Sequence, residues 1–168
     1  MYYEPNQVQR LRKMARKARE ETESGAFMEI GVLQGGTASV LDAERWGERP
    51  LYLIDNFKDP GADSKLWPKG DGVHHIVGTI EDWEPVPLAF VHIDGDHTPE
   101  GVLRDLERIG PHLVPGAIIV FHDWEQRHVD PSGKAGVDIG WDRWQSPVKE
   151  QMKLLELADT QACFQLRR

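Results

Sequence analysis

At 168 residues, with 39% hydrophobic and 29% charged side chains, the chain has the length of one domain and the composition of a soluble globular protein. No run approaches the roughly 20 apolar residues needed to cross a bilayer, and Met1 to Asn6 shows no basic stretch leading into an apolar one. A formal net charge of −8 disfavours nonspecific attachment to nucleic acid or anionic lipid, and the lone Cys163 excludes an intrachain disulfide, so a cytoplasmic setting is expected.

In chain order, the first element expected is a helix from about Pro5 to Glu21, with proline suited to its first turn. Val8, Leu11, Ala15 and Ala18 recur at helical spacing, so Arg10, Arg12, Lys13, Arg16, Lys17 and Arg19 read as its solvated face, with a basic patch for a phosphate-bearing partner as the alternative. Ser24-Gly25 breaks the helix, and Phe27-Met28-Glu29-Ile30 reads as a strand entering a glycine turn. A second helix runs from Thr37 through Trp46. Leu51-Tyr52-Leu53-Ile54 is a continuous apolar strand of the kind buried on both faces of a parallel sheet. Asn56 to Gly72 forms a long polar loop, and loops of that length inside compact domains tend to carry function.

His75-Ile76-Val77 is expected as the third strand and Leu88 to Ile93 as the fourth. Thr98-Pro99-Glu100 opens a helix with a capping hydroxyl, a first-turn proline and an acid at the positive end. Val102, Leu106, Ile109 and Leu113 form its buried stripe. Pro115-Gly116 turns into the strand Ala117 to Phe121. Met152–Leu157 and Ala162–Leu166, joined by four residues, permit only an antiparallel hairpin. The expectation is a single α/β domain over 1–168: a helix at 1–24, then a core at 27–168. That core is a doubly wound, Rossmann-like, mostly parallel sheet of about seven strands ending in an antiparallel hairpin.

Ligands of such sheets sit beyond the carboxyl ends of the strands. There the sequence places Glu29-Ile30-Gly31 with Gly35-Gly36-Thr37, then Asp55, then Gly78-Thr79-Ile80, then Asp94-Gly95-Asp96-His97, then His122-Asp123. Gly31 suits a tight turn, and Gly35-Gly36 suit close backbone approach at a helix start. Leu33 departs from the dinucleotide fingerprint, which argues against a pyrophosphate ligand. Asp55 is placed as an acid that holds ribose hydroxyls is placed. Trp124, Trp141 and Trp144 are open to two roles, lining an acceptor pocket or packing in the core. His92 reads as a satisfied buried histidine, and His74, His75, His112 and His128 receive no role.

Those motifs, together with Pro115-Gly116 leading to Phe121-His122-Asp123-Trp124, resemble the class I S-adenosylmethionine-dependent methyltransferases. The resemblance runs from about Phe27 to the C-terminus and is most specific between Asp94 and Trp124. Within that class it is to the metal-dependent sugar O-methyltransferases and cephalosporin-hydroxylase-like proteins. It implies S-adenosylmethionine as cofactor, with Glu29, Gly31, Gly35 and Thr37 around its methionine portion. Asp55 would then be at the ribose, and Gly78, Thr79 and Ile80 at the adenine. It implies a divalent metal, magnesium or a transition metal, on Asp94 and Asp123, and His122 beside them is a further candidate ligand. Asp94 also borders the cofactor, and Asp94, His97 and His122 are the candidate catalytic groups. Where relatives carry paired acids after the fifth strand this chain has His122-Asp123, and histidine favours transition metals over magnesium.

The activity so implied is methyl transfer to a hydroxyl of a small molecule, without nucleic-acid or membrane partners and with homo-oligomerisation open. Two alternatives stand beside it: a non-catalytic module that binds the nucleotide, and an NAD-dependent oxidoreductase.

Overall fold

The computed structural model describes residues 4–124 and 136–167. Its seven strands are β1 (Ala26–Ile30), β2 (Leu51–Asp55), β3 (Val73–Val77), β4 (Leu88–Ile93), β5 (Leu113–Phe121), β6 (Met152–Ala158) and β7 (Gln161–Leu166). They form one sheet in the order β3-β2-β1-β4-β5-β7-β6. Pairing is parallel from β3 to β5 and antiparallel where β7 joins β5 and β6 joins β7. The doubly wound sheet with an antiparallel tail expected from the sequence is therefore the fold. His128 lies outside the described residues.

Among the described residues five α-helices accompany the sheet: α1 (Pro5–Glu21), α2 (Gly36–Arg45), α3 (Pro99–Ile109), α4 (Val137–Arg143) and the short α5 (Pro147–Glu150). Because side chains alternate across a strand, neighbouring residues feed opposite cores. Phe27, Phe90, Ile118 and Val120 pack with Leu11, Met14 and Ala18 of α1 and Leu41 of α2. Met28, Val91, Ile119 and Phe121 pack with Val102, Leu106 and Ile109 of α3. Trp141, Trp144 and Phe164 complete that second core, and Trp124, half-buried, packs against it. Packing is thus the role the structure gives the three tryptophans. The rings of Trp141 and Phe164 are stacked 4.1 Å apart.

Three local expectations need correction. Leu113 does not belong to the α3 stripe: a 3-10 turn, Gly110–His112, follows α3, and Leu113 opens β5. Proline at the centre of that turn lacks the N–H that would continue the helix. Pro115-Gly116 lies inside β5, where pairing shifts from Leu88↔Leu113 to Phe90↔Ile118, and Gly116 takes φ 86°. The two residues are a bulge rather than a turn before the strand.

The basic face of α1 is also not simply solvated. Arg10 is buried, donating to Glu156 at 2.8 Å, Asp159 at 2.9 Å and Gln161 at 3.1 Å. Arg16 and Arg19 reach Glu44 of α2, and Lys13 reaches Glu156. These cations tie α1 to α2 and to the tail hairpin.

Candidate active site

The carboxyl ends of β1 to β4 open into a cavity of about 490 Å³, within the range typical of small-molecule sites. Its wall includes Ile30, Gly31, Leu33, Ile54, Asp55, Gly78, Thr79, Ile80, Asp94 and His97. Residues that sequence reasoning left unassigned also line it: Asn56, Lys58, Asp59, Asp96, Arg104 and Asp105.

The glycine turn after β1 is held from below and from the side. Gly31 adopts φ 87°, and a Cβ there would lie 2.2 Å from the Asp94 carbonyl oxygen. Only glycine lets β1 and the β4 rim approach so closely. The Val32 and Leu33 N–H groups both donate to Asp55 Oδ2 at 2.9 Å, and Phe57 N–H donates to Asp55 Oδ1 at 2.7 Å. Asp55 therefore lines the cavity while its carboxylate organises the turn. Gly35, in the left-handed region at φ 78°, caps α2 and packs against Trp67.

Glu29 and Thr37 lie beneath this turn, off the cavity wall. Glu29 is fully buried, accepting from the Thr37 hydroxyl and pairing with His92 Nδ1 at 2.9 Å. Burial pushes the Glu29 carboxyl above its ordinary range, against the opposing pull of His92. His92 is thus a buried histidine engaged by a carboxylate.

Gly78 and Thr79 follow β3. Thr79 caps the 3-10 turn Ile80–Asp82, and its own N–H donates to Asp82 Oδ2 at 2.9 Å. Ile80 is buried and presents an apolar surface to the cavity.

Beyond β4 and β5 two carboxylates and two imidazoles meet. His97 Nε2 lies 3.3 Å from Asp94 Oδ1, and its Nδ1 lies 3.2 Å from Asp123 Oδ2. His122 Nδ1 lies 3.2 Å from Asp94 Oδ1 and 2.9 Å from Asp123 Oδ1. Parallel pairing of β4 with β5 makes this possible, since the His122 N–H donates to the Ile93 carbonyl at 3.0 Å. Asp123 takes a left-handed φ of 57°, an uncommon conformation for a residue with a side chain.

Burial by itself would raise the Asp94 carboxyl and lower both histidines. Hydrogen bonds within the cluster outweigh it. Asp94 falls well below the usual carboxylate range, His97 rises, and His122 is raised to about 9. One ligand atom each from Asp94, His97 and Asp123 lies within 4.8 Å of the others. That spacing and the mixed oxygen and nitrogen donor set fit one divalent cation.

A family model described as a methyltransferase domain matches residues 28–124, more than half of the chain. The chain belongs to the methyltransferase domain family. Solved methyltransferases share the fold. The O-methyltransferase NovP is 15% identical with a TM-score of 0.73, over 96% of this chain and 79% of that one. The N-methyltransferase NodS from Bradyrhizobium japonicum WM9, in complex with S-adenosyl-L-homocysteine (SAH), is 14% identical with a TM-score of 0.67, over 98% of this chain and 89% of that one. The methyltransferase MycE from the mycinamycin biosynthetic pathway, in complex with Mg and SAH, is 16% identical with a TM-score of 0.65. That match spans 95% of this chain and 49% of MycE, so the chain spans about half the length of MycE. No curated protein matches in sequence. Among the described residues no helix is long and apolar enough to cross a membrane.

Proposed function

We propose that this methyltransferase moves a methyl group from S-adenosylmethionine to a hydroxyl of a small molecule, assisted by a divalent cation. The observation that carries this reading is the charge and bonding of the cavity wall. Five aspartates line it (Asp55, Asp59, Asp94, Asp96 and Asp105) against Lys58, Arg104 and His97. An acidic cavity suits a sulfonium cation and repels a pyrophosphate. The Val32 and Leu33 N–H groups, which a pyrophosphate would need, already serve Asp55. An NAD-dependent oxidoreductase is correspondingly disfavoured.

In this assignment Gly31 and the turn after it adjoin the methionine portion, Asp55 the ribose, and Gly78, Thr79 and Ile80 the adenine. Glu29, Thr37 and Gly35 act from beneath, fixing the turn's shape. Asp94, His97 and Asp123 would hold the cation, with His122 buttressing both carboxylates. A bound divalent cation lowers the pKa of an acceptor hydroxyl and orients its lone pair. The hydroxyl oxygen attacks the methyl carbon from behind. The carbon–oxygen bond forms as the carbon–sulfur bond breaks, and sulfur keeps that electron pair as a neutral thioether. A hydroxyl acidified in this way would lose its proton to solvent, because Asp94 is held well below the usual carboxylate range and His122 is raised to about 9. Holding the two reactants in line is a large part of the task.

Methyl transfer to a panel of small hydroxylated acceptors, followed with a radiolabelled donor, tests the reading. Activity is expected to fall by on the order of 100-fold or more after chelation or in Asp123→Ala, and to return with added cation only in the unmutated chain. Activity indifferent to both treatments overturns metal assistance. Tight SAH binding with no transfer to any acceptor favours the non-catalytic module.

A further inference from the structure

Asp105 is a buried acid without an assigned purpose. It lies on α3, is 2% exposed, and forms part of the cavity wall. Among the described residues its Oδ2 is shielded from solvent without a hydrogen-bond partner, and its Oδ1 lies 3.9 Å from Arg104 Nε. An unsatisfied buried carboxyl costs free energy, so its presence in a ligand cavity invites a ligand-based explanation.

Position narrows that explanation. Asp105 lies six residues along α3 from Pro99, about 9 Å at the helical rise. The catalytic rim at Asp94 and His97 immediately precedes that helix start. Near Asp105 the helix packs beside the turn Ile80–Asp82: one turn further on, Arg108 donates to the Trp83 carbonyl at 2.9 Å, and the charges of Asp96 and, less strongly, Glu81 act on Asp105. Asp105 thus lines the cavity on α3, the helix that packs against the turn carrying Thr79 and Ile80. Ile80, buried in that turn, supplies apolar wall there, suited to the face of a flat aromatic ring. What such a ring must offer a buried carboxyl is an N–H donor on its edge.

We propose that Asp105 is a specificity-determining residue that accepts a hydrogen bond from the exocyclic amine of the cofactor's adenine. The inference rests on the reading of the cavity as an S-adenosylmethionine site and adds a residue that reads the base. Asp105 lies within the α3 stripe beside Val102, Leu106 and Ile109, which is why hydrophobic periodicity passed over it.

The test compares binding of SAH with that of its analogue carrying hydrogen in place of the 6-amino group, by calorimetry on the full chain. The unmutated protein is expected to prefer SAH by on the order of tenfold or more. Asp105→Leu should reduce that preference to near unity, while Asp105→Asn, whose amide oxygen still accepts, should retain most of it. Melting curves of each variant establish that the fold is intact. An unchanged preference in Asp105→Leu, or equal binding of the two ligands by the unmutated chain, overturns the proposal. Absence of SAH binding altogether would overturn the cofactor assignment and this inference with it, a result distinguishable from either of the others.

Discussion

A single buried carboxylate shows how strongly position dictates chemistry here. Burial raises Asp105 to about 7. Its folded pKa then lies above that of the unfolded chain, so stability is greatest below about pH 4, falls as pH rises to about 7, and levels off beyond. Asp105→Leu removes that dependence. The variant is expected to melt at nearly the parent's temperature at pH 4 and clearly above it at pH 8, the gain reaching up to a few kcal/mol. A gain that shrinks with pH would contradict the assignment. Retaining a costly acid in a cavity wall is what stability traded for function looks like.

At the same scale, the sequence identified the type and rim position of most site residues but not their bonds. Asp55 was legible as a strand-end acid, whereas its three N–H partners depend on how the turn after Gly31 folds back. Glu29 stood beside a glycine turn in sequence, yet strand alternation sends its side chain under that turn to Thr37 and His92. The pairing of His97 with Asp123 joins residues from different strand ends, and only sheet order brings them together.

Among the elements, strands and helices with a clear apolar period were legible almost to the residue, as β4 and α1 show. Boundaries made by proline or by turn geometry were not. The tail hairpin closes through Asp159 and Thr160, both at positive φ, 48° and 62°, the geometry of a tight two-residue turn that matches strand twist. Glycine is the residue that such a position favours, and threonine is strained in it. Thr160→Gly preserves the backbone carbonyl that accepts from Trp124 N–H at 2.8 Å. The substitution is expected to stabilise by roughly 0.5–1 kcal/mol, raising the melting temperature by about 1–4 °C. A lower melting temperature would show that the weak 3.3 Å bond from Gln7 to the Thr160 hydroxyl outweighs the strain.

For the molecule as a whole, architecture was readable because alternation of strand and helix with short connections leaves few topologies. The hairpin's attachment was less so: Arg10 crosses from α1 to the far edge of the sheet, bonding residues 146 to 151 positions away. That bracing, with the Trp141–Phe164 stack, steadies the β5 end from which His122 and Asp123 project. The site is therefore a product of the entire sheet, assembled at the rim where the parallel strands end and completed by α3. Titration calorimetry of the full chain with SAH tests this account most directly. One site of micromolar affinity is expected, weakened on the order of tenfold or more by Asp55→Ala, which removes the anchor of the glycine turn and the carboxylate that the proposed assignment sets at the ribose. No heat and no thermal shift with SAH would contradict it.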